Sequence, residues 1–366
     1  NILRMWGGSI VNKESFYDLC DEMGLLVWQE FPLACNKYPD DPHYLKILEQ
    51  EGGSIIKRLR KHACIAMWCG GNELFNSWSR MTDQSLALRL LNSLCLHYDP
   101  LTPFDPASPM IGMAHGHYIF KWHGVEVFEL INNSHCTAYS EFGMPGASPR
   151  EVIEKIIPPE ELFPPRPGTA WEEHHAFHAW DGDMYTWLSC NLLEEYFVPA
   201  QDLDDLIEQS QALQCVGYKA IFEESRRQKP YCAMALNWCF NEPWPAAANN
   251  SLVAWPSLPK PALKAVGDSC RPFCTSARFS KFVWREGEEF FADIWLLNDK
   301  FADHSNLKIK VTLVSGEEEI VILDWNAPTV PANRNLAGPT VRFALPRWES
   351  ERFHVRVEIE GHPEYD

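Results

Sequence analysis

The stretch Ala63-Cys64-Ile65-Ala66-Met67-Trp68 runs into Cys69-Gly70-Gly71-Asn72-Glu73: six near-continuous apolar residues, then a glycine pair and a carboxylate. A run apolar on both faces suits a strand of a parallel sheet covered by helices on both sides. The residues before it repeat the theme. Residues 1–6 read as a strand closed by Gly7-Gly8. Asn12 is a candidate N-cap for a helix over 12–23, with Phe16, Leu19, Cys20 and Met23 on one face and Gly24 just past its end. Residues 25–31 form the next strand. A polar loop over 36–43 leads to a helix over 44–61, where Ile47, Leu48, Ile55, Ile56 and Leu59 fit a helical stripe.

The alternation continues with a helix over 83–96, strands over 110–113 and 137–141, a long helix over 202–227 and a strand over 231–240. Strand–helix alternation on this scale predicts an α/β fold, a (β/α)8 TIM barrel of ~250 residues. A doubly wound sheet is the rival. Aromatic and acidic residues at the C-terminal ends of the strands favour the barrel. From residue 279 the texture changes. Strands are expected over 288–296, 307–314, 341–343 and 353–359, the last with period-2 alternation, and they suggest a small antiparallel β-sandwich of the immunoglobulin-like kind. The expected division is 1–272 for the barrel and 273–366 for the sandwich, with a linker near 268–276. The acidic runs at 160–161 and 317–319 read as solvated loops. Residues 1–6 open directly as an apolar strand without an initiator methionine, so an N-terminal part is expected to be missing. The sandwich, lacking an evident closing strand, is expected to be incomplete.

The chain has 366 residues and a formal net charge of −18, which argues against nucleic acid or anionic membranes as partners. No apolar run approaches the ~18 residues of a membrane span. Twelve cysteines lack the paired spacing of a zinc site, and most read as buried thiols, which leans toward a reducing, cytoplasmic compartment. Fifteen tryptophans are more than a fold requires. They fill a core or line a surface on which sugar rings stack.

Trp68-Cys69-Gly70-Gly71-Asn72-Glu73 and Ser140-Glu141-Phe142-Gly143 each place a glutamate at the end of an apolar run. Two carboxylates on the ends of different strands of one barrel are the equipment for cleaving a glycosidic bond, one protonating the leaving oxygen and the other attacking the anomeric carbon. Gly143 lets backbone pass close to such a site. Arg4, beside Trp6, is a candidate to hold a catalytic carboxylate. His174 and His178 stand at i, i+4 near Trp171, but without a metal-binding HExxH motif they read as structural or pocket-lining groups. Trp28 reads as core.

Residues 1–272 resemble the catalytic barrel of glycoside hydrolase family 2, in its β-mannosidase-like branch. The matching pieces are Leu3-Arg4-Met5-Trp6-Gly7-Gly8, Phe16-Tyr17-Asp18-Leu19-Cys20-Asp21, Gly24-Leu25-Leu26-Val27-Trp28-Gln29-Glu30-Phe31, and Arg58-Leu59-Arg60-Lys61-His62. They continue with the two glutamate peptides and with Leu236-Asn237-Trp238 and Asn241-Glu242-Pro243-Trp244-Pro245. The resemblance implies that Glu73 is the acid/base at the end of the fourth strand and Glu141 the nucleophile at the end of the seventh. It implies that Asn72 binds the hydroxyl next to the anomeric carbon and that Trp6 lines the subsite of the cleaved sugar. Trp238 and Trp244 would add further walls, with His117 and Trp171 as additional pocket candidates. Residues 3–6 would then be the second barrel strand, the first being absent with the β-domains that precede it in the intact protein. Three departures from the family pattern concern the sugar. The glutamates are only 68 positions apart, Asn241-Glu242-Pro243-Trp244 replaces an Asn-Asp followed by a tryptophan, and no aspartate precedes the histidine in His115-Gly116-His117-Tyr118. The implied activity is that of a retaining exo-β-glycosidase, on β-mannosides foremost, without metal or cofactor and with a carbohydrate as its only partner. β-Glucosaminidase or β-galactosidase activity is an alternative, although related exo-glucosaminidases carry aspartate where this chain has Glu73. A non-catalytic carbohydrate-binding fragment is the other.

Overall fold

The computed structural model describes residues 1–178 and 186–365, so 179–185 of the expected barrel span and Asp366 of the expected sandwich lie outside the described residues. Two compact units emerge, one of residues 1–115 with 136–141, the other of 116–135 with 142–366.

The first unit is built from strands β1 (Ile2–Met5), β2 (Leu26–Glu30), β3 (Ile65–Cys69) and β4 (Phe104–Asp105), which pair in parallel in that order. Helices α1 (Glu14–Met23), α2 (Pro42–Leu59) and α3 (Leu86–Tyr98) make the crossovers that parallel pairing demands. Their apolar faces close a core around Val27, Phe31, Ile56, Leu59, Trp68, Leu88 and Leu91. Arg4 stands opposite Trp28, and Trp28 opposite Met67. Beyond the strand ends, single parallel bridges join Ala34 to Asn72 and Asn72 to Ser108. A second parallel pair, β5 (Met113–His115) and β6 (Ala138–Glu141), sets His115 opposite Glu141 after a register shift between Ala114 and His115.

The helices depart from the sequence reading in detail. Asn12 is not the cap of α1; the helix opens at Glu14 after Lys13, and no side chain caps it. Asn12 instead donates its amide to Met5 Sδ and accepts from Arg58. The buried face of α1 is Tyr17 and Cys20, whereas Leu19 and Met23 are exposed. The reason is polar: the Tyr17 hydroxyl reaches Gln29 Oε1 at 2.6 Å, which turns that side of the helix inward. In α2, Ile47 is likewise exposed, and Asp41 caps the helix by accepting from the Tyr44 amide.

In the second unit, α4 (Leu203–Arg227) is capped by Asp202, which accepts from the amides of Asp204 and Asp205. The strand expected over 231–240 is not regular; Trp238 is tied instead by its amide to the Phe142 carbonyl. The expected linker is α5 (Pro261–Ser269) followed directly by strand β7 (Phe273–Arg278). Strands β8 (Glu289–Asn298), β9 (Lys308–Ser315), β10 (Glu318–Asn326), β11 (Leu336–Ala344) and β12 (His354–Ile359) complete two antiparallel three-stranded sheets, ordered β7-β8-β11 and β10-β9-β12. They share a core of Phe290, Ile294, Leu296, Ile309, Val311, Leu313 and Ile359, the arrangement of a β-sandwich. The acidic run at 317–319 is therefore not only a loop: its last two residues begin β10, with their carboxylates facing water. Among the described residues, no helix is long and apolar enough to cross a membrane.

Among the described residues of this unit, charge is buried at two points. At the end of α4, Glu223 takes the Ser276 hydroxyl and pairs with Arg227 at 3.3 Å, while Arg278 grips both oxygens of Glu224 at 2.9 and 3.0 Å. These pairs fasten the helix to β7. Lys260 is the other point. It is buried, donates to the carbonyls of Gly146 (3.2 Å) and Asn249 (3.0 Å), and lies 3.8 Å from Glu242.

Two measurements test these contacts. Removing a partner from a buried pair leaves an uncompensated charge, so Glu223→Ala is expected to cost about 3–5 kcal/mol in urea denaturation. Burial lowers the Lys260 ammonium to about 8, against the opposing pull of Glu242. The unfolded chain therefore holds a proton that the folded chain has lost between pH 8 and the ordinary lysine value. Across that window the wild type is expected to gain stability relative to Lys260→Met, and the gain is lost as pH falls through 8. Parallel stability–pH curves for the two proteins would contradict this.

Candidate active site

Polar groups of the first unit meet at the ends of β1, β2, β3, β5 and β6. Arg4 is their centre. Its Nε and Nη2 reach Glu30 Oε1 at 2.9 and 2.6 Å, Nη2 also reaches Asn72 Oδ1 at 2.6 Å, and Nη1 donates to Glu141 Oε1. The second Glu30 oxygen takes the Gly7 amide at 2.7 Å. Arg4 and Glu30 are almost wholly excluded from water. Burial works against the guanidinium charge, but Glu30 and Glu141 outweigh it and raise Arg4 further above its ordinary value. Burial also raises Glu30, with Arg4 opposing. The guanidinium lies 5.8 Å from the centre of the Trp28 ring, so Trp28, fully buried, backs the cation as well as filling the core.

Glu73 and Glu141 face each other across His115. The imidazole Nδ1 lies 2.9 Å from Glu73 Oε1 and 3.5 Å from Glu141 Oε2, while Nε2 lies 3.1 Å from Ser108 Oγ. A glutamate oxygen from each side and the imidazole nitrogen are all within 4.8 Å of one another. With Glu73 ionised, Nδ1 must carry a hydrogen, because a carboxylate only accepts; with Glu73 protonated, Nδ1 can accept. The pair can therefore keep its hydrogen bond in either state of the acid. Ser108 donates to Ser140 Oγ at 3.0 Å, which fixes the residue before Glu141. Glu73 has a positive φ of 51° and receives its place from a 2.6 Å bond between its amide and the Ser108 carbonyl. A non-glycine residue held there is strained, a feature that clusters at functional sites.

Cys35 and Trp6 add to this face. Cys35 Sγ is 3.6 Å from Glu73 Oε2 and accepts from Asn72 Nδ2 at 3.2 Å. Burial and the neighbouring Glu73 charge push its thiol up to about 11. Next to it opens a hollow of about 410 Å³ lined by Trp6, Gly7, Gly8, Ser9, Pro32, Ala34, Cys35 and Tyr38. The Trp6 ring lies directly over Gly8, where a Cβ would overlap the indole.

Of the candidates read from the sequence, Arg4, Trp6, Asn72, Glu73 and Glu141 come together in this unit. His117, Trp171, Trp238 and Trp244 belong to the other. His117 is half-buried, its imidazole pushed down by burial, and its carbonyl accepts from Gly143 at 2.8 Å. Trp171 is fully buried and donates its indole N–H to the Glu161 carbonyl at 2.8 Å. Trp238 is half-buried, and Trp244 is exposed. Glu242, in the departing Asn241-Glu242-Pro243-Trp244 peptide, is buried and takes the Ser251 hydroxyl and the Trp255 amide. It braces its own loop. Sequence reasoning passed over Glu30, Cys35, Ser108 and His115. Glu30 and His115 each end a strand, which was their available signal; Cys35 and Ser108 have none, since only the bridges to Asn72 bring them in.

Glu73, His115 and Glu141 are also spaced as metal ligands, as are Asp21, His62 and Cys64. An ion at the first group would stand beside the fixed cation of Arg4. In the second, the Asp21 oxygens are taken by His62 Nδ1 and the Cys64 amide, each at 2.7 Å.

No protein-family model matches the chain. It is 28% identical over 317 residues to a protein named β-mannosidase B from Neosartorya fischeri, covering 77% of this chain and 36% of that protein. β-Mannosidase B of Aspergillus niger is 28% identical over 316 residues, with the same coverage. The chain thus spans little more than a third of the length of these curated relatives. Among solved structures, a β-D-mannosidase from Dictyoglomus thermophilum matches 98% of this chain and 44% of its own, with a TM-score of 0.78 and 27% identity. The exo-chitosanase CsxA of Amycolatopsis orientalis, at 17% identity, shares the fold, with a TM-score of 0.71 over 93% of this chain and 41% of its own. In sequence over three-quarters of its length and in structure over nearly all of it, the chain is similar to the β-mannosidase-like branch of glycoside hydrolase family 2.

Proposed function

We propose that the protein hydrolyses terminal β-linked sugars with retention of configuration, β-mannosides foremost. The observation that carries this reading is the approach of a Glu73 oxygen and a Glu141 oxygen to within 4.8 Å. Retaining glycosidases hold their carboxyl groups ~5–5.5 Å apart, whereas inverting enzymes need ~6.5–9.5 Å to admit a water. In this reading Glu141, held by Arg4, attacks the anomeric carbon and forms a glycosyl-enzyme. Glu73 protonates the departing oxygen, then takes a proton from the water that releases the sugar. Asn72, its amide oriented by Arg4 and Cys35, meets the hydroxyl next to the anomeric carbon, and Trp6 offers its face to the ring. Residues 1–272 would form the (β/α)8 barrel and 273–366 the sandwich. The sugar assignment draws on the names of the relatives; the geometry of the two glutamates serves any β-glycoside.

Glu141→Ala is expected to abolish turnover of aryl β-mannosides. Glu73→Ala is expected to lose about 10²–10⁴-fold in kcat/KM on poor leaving groups and to spare kcat/KM on 2,4-dinitrophenyl glycosides, whose departure needs no acid, while kcat falls at the step that needs the base. Proton NMR of the first-formed sugar is expected to show the β-anomer; first formation of the α-anomer would rule out double displacement. A panel of aryl β-mannoside, glucosaminide, galactoside, glucoside and glucuronide ranks the substrates. Sugar binding without turnover of any of them would favour a carbohydrate-binding module instead.

A further inference from the structure

The contacts around Arg4 and His115 form a closed circuit that includes a thiol. Glu141 is held by Arg4, Arg4 by the Asn72 carbonyl oxygen, and the Asn72 amide nitrogen by Cys35 Sγ. The thiol in turn contacts Glu73, and His115 joins Glu73 back to Glu141. The direction of the bonds is fixed by chemistry. Arg4 has only donors, so it must face Asn72 Oδ1, and the amide nitrogen must then face Cys35. A carboxylate only accepts, so between Cys35 and an ionised Glu73 the thiol donates. Sulfur thus accepts from Asn72 and donates to Glu73.

The backbone leaves Cys35 little choice of position. Its amide donates to the Asn72 carbonyl at 3.0 Å, and the Asn72 amide donates to the Leu33 carbonyl at 2.9 Å. Its φ of 50° is unusual for a side chain with a Cβ. The two Glu73 oxygens are therefore held from opposite sides, Oε1 by an imidazole on β5 and Oε2 by a thiol after β2. The charged and titratable groups of this circuit are Glu73, Glu141, Arg4, His115 and Cys35, with Glu30 behind Arg4.

We propose that Cys35 is a positioning residue for Glu73, its thiol coupling the Asn72 amide to the carboxylate that serves as proton donor. This rests on the reading of Glu73 as the acid/base. A neutral donor on one carboxylate oxygen aims the other groups without adding charge between the two glutamates, which a lysine or arginine there would do.

Two readouts test the proposal, and the first does not depend on activity. Cys35 is the exposed cysteine of the twelve. Its alkylation by iodoacetamide at pH 8, followed by peptide mass spectrometry, is expected to be several-fold faster in Glu73→Gln, where the charge opposing the thiolate is gone. An unchanged rate would overturn the contact. The second uses turnover by the full chain. Cys35→Ala is expected to lose about tenfold in kcat/KM on methoxyphenyl β-mannoside and little in kcat/KM on the dinitrophenyl substrate, and Cys35→Ser, whose hydroxyl both accepts and donates, is expected to recover most of the loss. Equal losses on both substrates, or no recovery by a folded Cys35→Ser, would overturn the positioning role. If Cys35→Ala does not fold, Cys35→Ser and the alkylation contrast still decide. Wild type that turns over no aryl glycoside would sink the glycosidase reading and the catalytic role of Cys35 with it, while the alkylation contrast reports the contact separately.

Discussion

A buried guanidinium is the constraint on which the first unit depends. Arg4 could not be taken out of water without anions to meet it, and three acceptors from three strand ends do so: Glu30, Glu141 and the Asn72 carbonyl. Each acceptor sits at or just beyond the end of a parallel strand, where the ladder stops and side chains are free to converge. The parallel sheet and the polar cluster are therefore one arrangement. The sheet delivers the groups in register, and the charge pairing requires that the register be kept. A slip by one residue would turn Arg4 to the other face and leave two carboxylates buried without their cation.

The strand β3 and the glutamate beyond it were plain in the sequence, because a continuous apolar run between helical stripes has few other readings. The two carboxylates were legible for the same reason, since they mark strand ends, whereas Arg4 was read from its place beside Trp6 and Asn72 from the resemblance of its peptide. Other features depended on contacts that no periodicity encodes. Tyr17 faces inward because its hydroxyl has Gln29 to meet, against the apolar stripe that would have turned Leu19 and Met23 to the core. His115, rather than a neighbour, meets both glutamates because the register shifts between Ala114 and His115, and such irregularities re-aim a side chain. Cys35 lies in a loop. Only its backbone bond to Asn72 places its sulfur.

In the second unit four sandwich strands were recognisable as apolar runs, β12 also by its alternation, with β7 and β10 hidden by their polar residues. Ser276 and Arg278 of β7 take the carboxylates of Glu223 and Glu224 from α4. Read alone, those residues suggest a solvated linker. In place, they are the fastening between a long helix and a sheet, and they carry charge into the interior because each charge meets its opposite.

The position of the Trp6 ring over Gly8 links two residues that would otherwise vary independently. Any side chain at residue 8 displaces the indole, and any smaller residue at position 6 leaves a gap over the glycine. The hollow beside them can thus be widened by trimming Trp6 but cannot be narrowed by growth at Gly8. For redesign, or for divergence, the two positions behave as a single site with one easy direction of change.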